Sequence, residues 1–169
     1  MTAAMNLFKA ALVFVFLFAL LVSAKSRELV AFENAPAGVI VIKTSERALY
    51  LSLGDGRALR YPVAVGKPNM QWYGTRYIDG KHVNPAWAPP PEVKRDFPNL
   101  PNLIAGGAPN NPMGPRALTL TGGEYAIHGT NRPNSIGRFA SYGCIRMYNE
   151  DIVDLFARVR VGTPVVVTR

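Results

Sequence analysis

Nine of the fourteen prolines in this 169-residue chain fall between Pro85 and Pro115, including the run Pro89-Pro90-Pro91. Proline fixes φ and lacks an N–H, so neither helix nor central strand is expected to persist there. The region from Gly66 to Arg116 therefore reads as long loops. A structureless stretch of that length inside a compact domain often belongs to a binding loop or lid. Trp72, Tyr73, Tyr77 and Trp87 interleave with Gly and Pro in it. That suits a loop packing on its own rings, although each ring alone fits ordinary satellite packing as well.

Regular patterning lies on either side. Upstream, Val39-Ile40-Val41-Ile42 and Ala48 to Leu53 read as strands, Gly54-Asp55-Gly56 as a turn, and Arg57 to Val65 as a third strand. Downstream, Ala117 to Thr121, Gly122-Gly123 and Tyr125-Ala126-Ile127-His128 have the form of a hairpin whose second strand ends at a histidine. Ile152, Leu155, Phe156 and Val159 then fall on one helical face. Asn149 is placed to cap that helix, and Gly162-Thr163-Pro164 stops it before a last strand, Val165 to Thr168. The expected fold is mainly β, a sandwich or distorted barrel with one helix near the C-terminus.

Lys9 is the only charge before residue 25, and it precedes the apolar run Ala10 to Val22. That run has signal-peptide length, and Val22-Ser23-Ala24 offers small residues for cleavage. Residues 1–24 are therefore read as a signal peptide or N-terminal anchor, 25–37 as a linker, and 38–169 as one catalytic-size domain in the periplasm or cell envelope. The net charge is +8. Export disfavours nucleic acid as a partner, and the cations are scattered, with no run longer than Lys94-Arg95. A solvated basic surface is the plainer account. With one Cys and two His, no disulfide framework or spaced zinc pattern is available. Neither metal nor organic cofactor is expected.

Cys144 lies in Ser141-Tyr142-Gly143-Cys144-Ile145-Arg146-Met147. Gly143 removes bulk beside the sulfur, so that a carbonyl could approach and nearby N–H groups could converge on an oxyanion. A lone Cys is also a common core residue. His128 shifts the balance, because an imidazole beside the thiol would draw its proton and leave a thiolate at neutral pH. Arg146 could hold a carboxylate bidentately, or equally could brace the loop through an internal salt bridge. Ser141 suits tying down the turn better than touching substrate. His82, in Gly80-Lys81-His82-Val83-Asn84, reads as solvated or structural.

From about Gly38 to Arg169 the chain resembles the L,D-transpeptidase catalytic domains of bacteria, the YkuD family. Ile127-His128-Gly129-Thr130-Asn131 followed by Ser141 to Met147 carries the likeness, supported by Asn84 to Pro91, Asn111-Pro112-Met113-Gly114 and Asn149-Glu150-Asp151-Ile152. The resemblance implies that Cys144 attacks the bond between meso-diaminopimelate and D-Ala in a donor tetrapeptide stem and passes the acyl group to an amine. It implies His128 as base, the Gly129 carbonyl as its orienting partner, and backbone N–H groups of Tyr142, Gly143 and Cys144 as the oxyanion hole. Arg146, Ser141, Trp87 and Tyr73 are the candidate substrate contacts. Peptidoglycan stem peptides are the expected partners, with a lipoprotein as a possible acceptor; membrane contact would come only through an uncleaved N-terminal segment. Tyr142 departs from the pattern, since many members have His there. Two rivals remain: a hydrolase of the same fold, and a non-catalytic wall-binding module with Cys144 merely packed.

Overall fold

The computed structural model describes residues 27–169 apart from Asn34 and Glu124. The expected signal or anchor segment lies outside the described residues. The three upstream strands form as read: β2 (Ile40–Lys43), β3 (Ala48–Ser52) and β4 (Arg57–Gly66) make an antiparallel meander. Before them, β1 (Glu28–Ala31) pairs with β4, so part of the stretch read as linker is an edge strand of the folded body.

Between Gly66 and Arg116 the chain is more regular than its prolines suggest. β5 (Gly74–Val83) precedes the proline cluster and sits centrally, and α1 (Pro91–Asp96) opens inside it. Pro91 is in the first turn of α1, where its missing N–H costs nothing. The fold therefore has a second, short helix. β6 (Arg116–Leu120) and β7 (Ala126–His128) form the expected hairpin, followed by β8 (Phe139–Ser141), β9 (Ile145–Met147), α2 (Asn149–Arg158) and β10 (Pro164–Thr168).

Eight of these strands close a ring in the order β4-β3-β2-β10-β5-β6-β7-β9, with β9 pairing back onto β4. The architecture is a closed mixed barrel, with β1 and β8 as additions on β4. Alternation fills it: Ile40 and Ile42 from β2, Leu49 and Leu51 from β3, Val63 and Val65 from β4, and Val165 and Val167 from β10 all join one core. Ile152 and Leu155 of α2 enter the same core, as the helical spacing anticipates. The outer face of β3 is also covered, because Phe32 stacks on Tyr50 with ring centroids 4.7 Å apart and Val30 packs beside it. This explains why every residue of β3 is buried.

The segment 84–115 arches from β5 to β6 as a strap. Asn84 N–H donates to Pro115 O at 2.9 Å, and Trp87 and Ile104 exchange backbone bonds of 2.8 Å. Asn111 Nδ2 reaches Pro85 O and Ala105 O, each at 2.9 Å. The strap is held in shape by its own polar contacts, not by its rings. Trp72 instead stacks on Tyr125, while Tyr73 and Tyr77 are exposed.

Candidate active site

The parallel pairing of β7 with β9 sets the site. Ile127 lies beside Ile145 and His128 beside Arg146. Both isoleucines are core residues, so His128 and Arg146 project from the other face. Cys144, two residues before Arg146, shares that face by the same alternation. Cys144, in the turn that leads into β9, is thus diagonally across from the end of β7 that carries His128. The imidazole is buried and the thiol half-buried.

His128 Nδ1 donates to Gly129 O at 2.7 Å. That fixes the ring and leaves Nε2 as the free basic nitrogen, the role expected of Gly129. The absence of a side chain at Gly129 also matters, since a Cβ there would run into Asn149 Oδ1 and Pro115 Cδ. Asn149 itself does not cap α2. It is the first residue of the helix, after Tyr148, and its Oδ1 accepts from Thr130 N–H at 2.8 Å. The side chain ties the helix to the segment after His128.

The turn that presents Cys144 is built from both sides. Ser141 Oγ donates to Cys144 O at 2.5 Å and accepts from Gly143 N–H at 3.1 Å. Trp72 Nε1 donates to Gly143 O at 2.9 Å. Gly143 has φ 117°, and a Cβ would strike the Tyr125 ring. The glycine is therefore required by backbone conformation and by the ring beneath it.

These contacts bear on several of the candidate residues. Ser141 is buried and its hydroxyl is engaged within the turn, the arrangement of a brace. The Gly143 N–H points back at Ser141, whereas among the described residues no acceptor is bonded to the N–H of Tyr142 or Cys144. Those two N–H groups are free to donate outward. Tyr73 is outside the adjoining cavity, its hydroxyl donating to Gln71. Trp87 and Arg146 do line that cavity, which measures about 320 Å³. His82 is on β5, 3.4 Å from Thr119 Oγ1, away from the cavity.

Burial works against the resting thiolate expected from the sequence. Burial, aided by the charge of Arg146, lowers the His128 pKa to about 4, against the opposing carbonyls of Gly129 and Pro112. Burial likewise raises the Cys144 thiol above its ordinary value, although Ala126 N–H and Arg146 act the other way. Both directions favour the uncharged pair. The Pro112 carbonyl was not foreseen as a participant, although its block was part of the resemblance. Asp96 was missed altogether: Tyr142 Oη donates to its Oδ2 at 2.5 Å, tying the end of α1 to the nucleophile turn.

A histidine at the end of β7 and a cysteine in the turn before β9 come together on a closed mixed barrel. The chain belongs to the L,D-transpeptidase catalytic domain family, YkuD, which matches residues 37–167. Among curated relatives, "Probable L,D-transpeptidase ErfK/SrfK" of Escherichia coli strain K12 is 37% identical over 135 residues, covering 75% of this chain and 42% of that protein. "Probable L,D-transpeptidase YbiS" of the same strain is 33% identical, covering 82% and 47%. The chain thus spans less than half the length of these relatives. Among solved structures, L,D-transpeptidase 3 from Mycobacterium tuberculosis superposes with a TM-score of 0.62 at 19% identity, covering 82% of this chain and 63% of that one. An L,D-transpeptidase from Mycobacterium smegmatis gives 0.62 at 19% identity, with 78% and 58% coverage. These two show a shared fold.

Proposed function

We propose that this chain is a cysteine-dependent L,D-transpeptidase of the bacterial cell envelope, acting on peptidoglycan stem peptides. The observation that carries the reading is the β7–β9 register, which aims Cys144 and His128 from one face, with His128 Nδ1 held by Gly129 O.

An uncharged pair suits one order of events. His128 Nε2 takes the thiol proton as sulfur attacks the carbonyl between meso-diaminopimelate and D-Ala, so charge develops only in the transition state. The Gly129 and Pro112 carbonyls favour the protonated ring formed at that moment. The N–H groups of Tyr142 and Cys144 receive the oxyanion. His128 then returns the proton to the departing D-Ala amine, leaving a thioester on Cys144. The second half reverses the sequence: an acceptor amine attacks the thioester, gives its proton to His128, and restores the thiol. Diaminopimelate of a second stem is the acceptor in crosslinking, and a lipoprotein lysine is an alternative. Trp87 and Arg146 serve as substrate contacts from the cavity wall.

The test has two parts. Incubation with a carbapenem followed by intact mass should show one adduct on Cys144; an unmodified folded protein defeats the nucleophile assignment. Incubation with purified muropeptides, read by mass spectrometry, should show crosslinked products with loss of D-Ala. Trimmed stems alone would replace the transferase with a hydrolase.

A further inference from the structure

The cavity lined by Tyr142 and Arg146, two residues before and two after Cys144, has three cations in its wall. Lys67, Arg132 and Arg146 line it, and no Asp or Glu does. Lys67 is already engaged, its Nζ standing 4.2 Å from the Tyr142 ring centroid and acting on Asp96 at the cavity edge. The two arginines are not. Among the described residues no carboxylate lies within salt-bridge distance of either guanidinium, and neither guanidinium hydrogen-bonds to the protein.

Such an arrangement favours an anionic partner. Arg146 is half-buried on β9, and its charged form is disfavoured first by burial and further by the charge of Arg132. A desolvated cation with a like charge beside it is stabilised by an anion that both can share. The internal salt bridge considered for Arg146 does not form, which leaves a ligand as the partner its position calls for. The two groups also reach the reacting centre from different sides. Arg146 is two residues beyond Cys144 on the same face, about 7 Å along the strand, while Arg132 comes from the segment that follows His128.

We propose that Arg132 and Arg146 form a carboxylate-binding pair that selects donor stems whose diaminopimelate carries a free side-chain carboxylate over stems in which it is a carboxamide. The inference rests on reading the site as one that takes peptide stems. The carboxamide has nearly the same shape but no charge and only one oxygen acceptor, so it cannot span two guanidinium forks. Arg132 is the specificity-determining member, because it is exposed and can be changed without disturbing the core.

The experiment measures binding of two synthetic tetrapeptide stems, carboxylate and carboxamide, to the Cys144→Ser protein by calorimetry. The carboxylate stem should bind about tenfold tighter, and the advantage should shrink as salt is raised. Adding Arg132→Gln should bring the ratio close to one, whereas Arg132→Lys should retain part of it. Equal affinities for the two stems, or a ratio unchanged by Arg132→Gln, would overturn the proposal. Turnover by the wild-type protein reads the underlying assignment separately. A carboxylate stem bound with the expected preference but never processed would defeat the acyl-transfer reading and leave the carboxylate pair standing.

Discussion

Two buried ionisable groups should make stability respond to acid in opposite directions. His128 is 4% exposed, and burial lowers its pKa from 6.5 to about 4. Between those values the unfolded imidazole is protonated and the folded one is not, so stability falls as pH drops through that window. At about 1.4 kcal/mol for each pH unit, the loss is about 3 kcal/mol. Asp151, in the first turn of α2, is fully buried, and neither carboxylate oxygen has a hydrogen-bond partner. Burial and then the Glu150 charge raise its pKa from 3.8 to about 6, with Arg27 partly offsetting them. Here the folded carboxyl holds a proton that the unfolded one has lost, so stability rises by about 3 kcal/mol as pH falls from 6 towards 4. The two effects nearly cancel in the native chain. Urea melts at pH 7 and pH 4 should separate them. Relative to wild type, Asp151→Asn should lose about 3 kcal/mol more on acidification, and His128→Gln about 3 kcal/mol less. Parallel profiles for the wild type and both variants would refute the assignment of buried, neutralised groups.

Other consequences concern the nucleophile turn and the strap. Cys144→Ser should abolish turnover with an unchanged circular dichroism spectrum, and His128→Ala should cost at least about a hundredfold in kcat/KM; near-normal rates would remove the residue from the chemistry. Gly143→Ala should destabilise by about 1–3 kcal/mol in urea melts, because it combines a left-handed backbone with a clash against Tyr125. Tyr142→Phe deletes the bond to Asp96. Since α1 buries none of its residues, its amide protons should exchange measurably faster by mass spectrometry while those of β3 do not change.

The chain announced its chemistry more clearly than its boundaries. His128 and Cys144 stood out because they are polar residues at the ends of strongly patterned segments, and the α2 face was explicit in Ile152, Leu155 and Val159. β1 escaped because its only support is distant, Arg57 to Arg60 of β4 and the ring of Tyr50, and nothing local marks it. β5 was hidden by polar residues that alternate weakly and by a register shift between Ile78 and Gly80. Asp96 could not be connected to Tyr142 from spacing alone, since 46 residues separate them. The resting thiolate was inferred from proximity alone, whereas burial, which spacing does not show, pushes both groups towards their uncharged forms.

That last reversal has a kinetic signature. If the resting pair were thiolate and imidazolium, Cys144 would react with iodoacetamide at a plateau rate well below neutral pH. With the thiol raised by burial and the imidazole lowered to about 4, alkylation should instead keep climbing from pH 7 past pH 9, following thiolate formation. Acyl transfer would behave differently, because it needs only a neutral His128 and a bound carbonyl. Its acid limb in kcat/KM should therefore sit near pH 4 to 5, far below the point at which the thiol ionises alone. Such a site protects its sulfur, since oxidants favour the thiolate, while substrate supplies the electrophile that draws the proton across. An alkylation plateau at pH 6 would mean that the pair is already charged and that proton transfer precedes attack, and an acid limb near 6.5 would mean that burial does not lower the His128 pKa.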